Sequence, residues 1–181
     1  MVQDKFALLT TVRDDDFYLK RWVKYYGDLF GKDALFVINH GNQESVREIA
    51  AGCNLIPIPD GDRKNFNIFN WRTKNHIMRG LVQWYETVSV CDVDEFVVVD
   101  PNCGHDLRGW IEANPRASVR TPLGLEVVHL PSTETDEINT SILGPRRWAQ
   151  LNSFYSKPCL ISRKTKLSRG GHYSDYNKLD M

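Results

Sequence analysis

The sequence predicts an α/β domain built on a mostly parallel sheet flanked by helices. Three observations predict it. Short apolar runs alternate with helix-patterned segments in the order strand, helix, strand, helix, strand, helix, strand, the signature of right-handed crossovers. The first connecting segment sets Tyr18, Leu19, Trp22, Val23, Tyr26, Leu29 and Phe30 at helical spacing, so it carries one apolar face. The last run of the series, from Thr87 to Cys91, passes straight into Asp92, Asp94 and Glu95, at the strand end where ligand sites of open α/β sheets gather.

Taken in order, residues 5–12 (KFALLTTV) read as a buried strand. Asp14, Asp15 and Asp16 follow. One caps the next helix and the others suit its positive end. Gly31 stops that helix. A second buried strand spans 34–39 (ALFVIN), His40-Gly41-Asn42 is a turn, 43–51 is a short helix ending at Gly52, and 54–57 is a short strand. Prolines, Gly61, charges and asparagines make 57–70 a loop, long enough to suggest function. A helix is expected over 72–85, with Ile77, Met78, Leu81, Val82 and Tyr85 facing the core. A strand over 87–91 continues extended through 96–99, and Asp100-Pro101-Asn102 ends it. The remainder is irregular: a helix over 107–113, strands over 117–121, 125–130 and 158–162, and an acidic polar loop over 132–139. With no repeat, low-complexity tract or linker, residues 1–181 read as a single domain.

Composition narrows the classes. Lys plus Arg and Asp plus Glu both number 23, so the formal net charge is zero, with no global pull toward nucleic acid or an anionic membrane. No apolar run approaches the roughly 18 residues that span a bilayer, and Met1-Val2-Gln3-Asp4-Lys5 carries no signal-peptide pattern. The simplest expectation is a cytoplasmic protein, attached to a membrane, if at all, through a peripheral partner. Cys53, Cys91, Cys103 and Cys159 are widely spaced with no CxxC pair, which reads as free thiols.

The acidic turn carries the chemistry. Asp92 and Asp94 are two residues apart at a strand end and can converge on one cation. Carboxylates so close repel one another unless a cation compensates. Oxygen-only ligation suits magnesium or manganese, which typically bridges nucleotide phosphates. A solvated surface turn is the plain alternative, but TVSVC before it and FVVV after it make that less natural.

The segment Val90-Cys91-Asp92-Val93-Asp94-Glu95-Phe96-Val97-Val98-Val99-Asp100-Pro101 resembles the metal-binding turn of family-2-like glycosyltransferases, which have the GT-A fold, a nucleotide-binding (Rossmann-like) α/β domain with a D-x-D turn. Val12-Arg13-Asp14-Asp15-Asp16 with Leu19, Trp22 and Tyr25-Tyr26 looks like that group's opening. LFVINHG (35–41) looks like its second strand and turn, and Ser156-Lys157-Pro158 with Gly170-Gly171-His172 resembles its downstream S-K-P and G-x-H pattern. The resemblance covers most of the chain. It implies a nucleotide-binding half, 1–102, and an irregular acceptor-side half, 103–181. Family members usually continue past the G-x-H, whereas this sequence stops at Met181, so acceptor recognition is expected to be incomplete here or carried by a partner.

The expected activity is metal-dependent transfer of a sugar from a nucleotide-diphosphate sugar, with uridine diphosphate the guess from the wider fold class, to a hydroxyl acceptor in glycan or polysaccharide synthesis. Asp94 is the first choice for direct metal contact. Asp92 binds the metal through water or contacts the ribose or sugar. The resemblance implies His172 as a third ligand near the diphosphate, and implies that Thr11, Val12 and Arg13 hold the base and ribose. Asn39 ends the second strand, where related folds contact the base; a turn cap is the other reading. Arg72, Lys74 and Arg79, around the start of the expected third helix, and Lys157 are cations that can neutralise a diphosphate. An inverting reaction needs a carboxylate base, for which Glu134, Asp136 and Glu137 of the acidic loop, and Glu95, are the candidates. Trp71, Trp148, Phe154 and Tyr155 are candidates for stacking on sugar faces.

Other classes fit less well. A haloacid-dehalogenase-type phosphatase places its D-x-D on the first strand with Thr or Val two residues on, where this sequence has Phe96 in mid-chain. A two-metal nuclease lacks a phosphate-tracking surface at zero net charge. The serious alternative is a degenerate GT-A-like binding or scaffold domain without catalysis.

Overall fold

The computed structural model of the chain describes residues 4–61, 63–115, 118–139 and 141–175. Its first strand, β1 (Asp4–Val12), is central, and Ala7, Leu8, Leu9 and Val12 are each at most 3% exposed. Consecutive buried residues, rather than alternate ones, are what a strand covered on both faces requires. The helix α1 (Asp16–Phe30) begins where the Asp15 carboxylate accepts from the Tyr18 amide, and ends at Gly31, whose φ of +89° suits glycine. Then come β2 (Leu35–His40), α2 (Glu44–Ile49), β3 (Asn54–Ile58), α3 (Phe66–Leu81) and β4 (Tyr85–Val90). Beyond them lie α4 (Leu107–Ala113), capped by Asp106, and the short strands β5 (Val119–Arg120), β6 (Leu125–Val128), β7 (Trp148–Leu151) and β8 (Leu160–Ile161).

The main sheet has the order β3-β2-β1-β4-β8-β5. The four strands from β3 to β4 are parallel, while β8 runs antiparallel between β4 and β5. The strands β6 and β7 pair separately as an antiparallel sheet. One face of the main sheet packs Leu8, Val12 and Leu160 against Leu19, Trp22 and Tyr26 of α1 and Ile111 of α4. The other packs Leu9, Ile38 and Val90 against Trp71 and Met78 of α3. The α/β class and the mostly parallel sheet expected from sequence are therefore present.

Several boundaries differ from expectation. The third helix begins at Phe66, six residues before the expected start, and ends at Leu81, so the last five residues of the expected 57–70 loop are helical. Residues 96–99 pair with no strand, and β7 was not foreseen. Ala117, at the start of one expected strand, and everything from residue 176 lie outside the described residues. Among the described residues no helix is long and apolar enough to cross a membrane.

The strand order sets the site. The chain runs outward from β1 through β2 to β3, then returns to the opposite side of β1 with β4. The carboxyl ends of β1 and β4 thus flank the point where strand order reverses, and open α/β sheets bind ligands in that crevice.

Candidate functional site

Residues 92–95 form a turn just past β4, closed by the Glu95 amide donating to the Asp92 carbonyl at 3.0 Å. Val93 and Val97, 7% and 8% exposed, plug its two sides into the α1 face of the core. From α1, the Tyr26 hydroxyl accepts from the Val97 amide and the Tyr25 hydroxyl donates to the Val97 carbonyl, both at 2.9 Å. The Tyr26 and Phe96 rings lie parallel, 6.1 Å apart. Tyr26→Phe keeps the ring but leaves the buried Val97 amide without an acceptor. We expect it to cost about 1–3 kcal/mol of stability, read by denaturant unfolding; an unchanged midpoint would mean the turn is held by packing alone.

Within the turn the three carboxylates differ. Asp92 Oδ1 accepts from Lys74 Nζ at 2.5 Å, and Lys157 Nζ stands 3.6 Å from Asp92 Oδ2 while also donating to Glu95. Lys74 has a fully buried side chain, and its ammonium lies 4.6 Å from the Trp71 ring centroid. Burial pushes the Asp92 carboxyl up, but Lys74 and then Lys157 outweigh it and hold it below its ordinary value. Lys157 is displaced upward: desolvation lowers it, and Glu95 and Asp92 together more than reverse that. The cation that clustered carboxylates require is thus supplied to Asp92 and Glu95 by two lysines. In this structure both lysines are engaged by those carboxylates, Lys74 fully buried and Lys157 at 13% side-chain exposure.

Asp94 is different. It lies at the surface, and among the described residues no lysine, arginine or histidine is within ion-pair distance of it. Crowding by neighbouring atoms is the largest influence on its carboxyl. With the negative charges of Asp92 and Asp15, it outweighs a backbone hydrogen bond and Lys157 and holds the group above its ordinary value. Burial and then the charges of Asp94 and Asp15 likewise push the Tyr18 hydroxyl up. Asp15 and Tyr18, at the start of α1, are therefore neighbours of Asp94 that sequence reasoning did not assign to the site. Asp15 was legible only as a helix cap.

The remaining expected residues divide. Thr11 and Val12 sit buried at the carboxyl end of β1, beside the turn. Arg13 follows them but forms a two-pronged pair with Asp60, so it braces the loop after β3. Asn39 is 1% exposed, and its amide donates to the Gln43 carbonyl and accepts from the Gln43 amide. It is the turn-holding residue of the alternative reading. Arg72 and Arg79 are exposed and lie inside α3, not around its start. His172 Nδ1 lies 3.1 Å from the Phe154 carbonyl, directly after the Arg169–Gly171 segment, which packs on Trp71 through Gly171. Among the described residues no three His, Cys, Asp or Glu side chains gather as a metal-holding group, so His172 is not brought into one cluster with Asp92 and Asp94.

The acidic loop also divides. Glu134 is 6% exposed and accepts from the amides of Leu130 and Arg147 at 2.9 and 2.6 Å, backbone bonds that hold its carboxyl below the ordinary value. A carboxylate so engaged is a loop brace and a poor proton acceptor. Asp136 and Glu137 are exposed. Arg21 of α1 ties the end of this loop to the start of α1 through the carbonyls of Ile138 and Asn139. Trp148, Phe154 and Tyr155 are exposed and Trp71 is buried, so only the first three remain open to a ligand. The four cysteines are free thiols, as expected. The sequence matches no protein-family model, and no curated protein matches it significantly.

Proposed function

We propose that this chain is a metal-dependent glycosyltransferase that moves a sugar from a nucleotide-diphosphate sugar to a hydroxyl of a glycan or polysaccharide acceptor. One observation carries the reading: Asp94, a carboxylate with no basic partner among the described residues, stands at the end of β4 beside the β1–β4 reversal point. Its hard oxygens, with those of neighbouring Asp15, fit magnesium or manganese. Such an ion, when bound, acts as a Lewis acid toward the diphosphate. Asp92, clamped by Lys74, fixes the turn that aims Asp94. Lys157, the less deeply buried of the two lysines, is the one able to turn from Glu95 toward a leaving diphosphate. Thr11 and Val12 line the donor side. Asp136 and Glu137 remain the carboxylates available as the acceptor's base, while Glu134 is withdrawn from that role. In this reading residues 1–102 serve the donor, residues 103–181 serve the acceptor, and the protein works in the cytoplasm.

Calorimetry with uridine and guanosine diphosphates, with and without manganese, tests it. The expected outcome is saturable binding that requires manganese and is lost in Asp94→Ala. No binding of either nucleotide under any condition would sink the catalytic reading.

A specific observation favours a second reading. Lys74 and Lys157 already neutralise Asp92 and Glu95, so most of the acidic turn is stable without metal. That suits a GT-A-like binding or scaffold domain without catalysis, and the same titrations separate the two.

A further inference from the structure

We infer that Asn70, with Thr11, is the nucleoside-recognising pair of this site; the inference rests on the donor-site reading above and adds a residue to it. The helix α3 crosses the carboxyl ends of three neighbouring strands. At its start the Phe66 ring stacks on His40 at the end of β2, 4.9 Å between centroids and 10° between planes. Two turns later Lys74 reaches Asp92, just past β4, at 2.5 Å. Asn70 is midway on the same buried face, and β1 lies between β2 and β4 in the sheet. Asn70 is therefore over the end of β1.

Thr11 faces Asn70 from that strand end. Side chains alternate along β1, and Ala7 and Leu9 point into the layer under α3, so Thr11 does too. Both residues are more than nine-tenths buried, Thr11 at 8% and Asn70 at 9% exposure. Yet Thr11 Oγ1 and Asn70 Oδ1 have no hydrogen-bond partner among the described residues. Two orphaned polar atoms, one at the strand end and one on the helix that crosses it, are uncommon in a folded chain and call for a polar occupant.

The chemistry of the pair selects that occupant. A carboxamide oxygen takes an O–H, an N–H or a cation; the metal of this reading sits on Asp94, so the ligand must bring an O–H or N–H to Asn70. An ionised diphosphate has neither. A nucleoside has both: ribose hydroxyls and the imino N–H of bases such as uracil. Neighbouring strands are about 4.8 Å apart, so a nucleoside at β1 and its diphosphate at the end of β4 fit the covalent length of one nucleotide.

Calorimetry in the presence of manganese tests the inference with three probes: uridine diphosphate, 2′-deoxyuridine diphosphate and inorganic pyrophosphate. Asn70→Ala is expected to weaken uridine diphosphate about 5–30-fold, and the shape-conserving Thr11→Val about 3–10-fold, with pyrophosphate unchanged in both. If Asn70→Ala no longer weakens the deoxynucleotide, the hydrogen comes from the ribose 2′-hydroxyl; if it still does, from the remainder of the nucleoside. Both results support the pair. Variants that bind uridine diphosphate like the parent, or that lose it and pyrophosphate equally, overturn it. Pyrophosphate binding to the parent then keeps the donor-site reading standing while the pair falls. No binding of any probe to the parent removes both.

Discussion

Lys74→Met is expected to lower the thermal unfolding midpoint by about 4–12 °C. The side chain is fully buried, and its ammonium is held by Asp92 and lies against the Trp71 ring. Removing one partner of a buried pair costs about 3–5 kcal/mol because the other charge is stranded. Asp92 retains 34% side-chain exposure, and Lys157 stands by, so water and that second lysine recover part of the loss. About 2–3 kcal/mol remains, and a chain of this length shifts by about 2–4 °C per kcal/mol. Adding Asp92→Asn removes the stranded charge, so the double variant should regain more than half of the difference. The effect is also pH-dependent. Asp92 sits below its ordinary value in the folded state, so its contribution is present above the unfolded pKa, about 3.9, and is lost as pH falls through the folded value. The gap between parent and Lys74→Met should close below about pH 4. Identical melting curves at pH 7 would show that the pair does not hold the turn.

Gly171→Ala should be at least as damaging. Gly171 has φ +72°, and a Cβ there would fall 2.4 Å from the Trp71 ring. The left-handed backbone costs an alanine about 1–2 kcal/mol, and forcing the ring aside about 1–3 kcal/mol more. The ring cannot yield freely, because it lies under the Lys74 ammonium on one side of α3. The segment at 169–172 should therefore lift away and take His172 with it. Hydrogen exchange of amides around Leu167 and Gly171 should accelerate by tenfold or more. Gly104→Ala is the control: φ is +70° there, but nothing lies within 4 Å of the added carbon, so only the backbone cost applies. Equal effects in the two variants would exclude the ring contact as the cause.

Much of the fold was legible because apolar spacing and glycine stops agree along 5–58. The error at α3 has a physical origin. Its buried face is Asn70, Trp71, Lys74 and Met78, and two of those four are polar. A helix that turns an amide and an ammonium inward shows no apolar stripe, and Asn65, Asn67 and Asn70 suggest a turn instead. That concealment and the site have one cause, since Lys74 is inward to meet Asp92. β7 was hidden for the opposite reason: all four of its residues are exposed, so no alternation marks it. At the site, the D-x-D spacing pointed to the right strand end. It could not show that lysines from distant segments would satisfy Asp92 and Glu95, or that Asp15 would lie beside Asp94. Those are tertiary facts, as is the withdrawal of Glu134 by two backbone amides.

The position of β8 between β4 and β5 has a kinetic consequence. Two pairings of the main sheet join segments far apart in sequence, β1 with β4 through Leu9 and Val90, and β4 with β8 through Val88 and Ile161. Closing the second of these brings Lys157 to Asp92 and Glu95, so half of their counter-charge is delivered by a pairing distant in sequence. An intermediate with β1 to β4 formed would carry the whole acidic turn with only Lys74 to balance it. Docking of β8 therefore relieves the repulsion within the turn, and salt, by screening the attraction between Lys157 and the two carboxylates, should slow that docking.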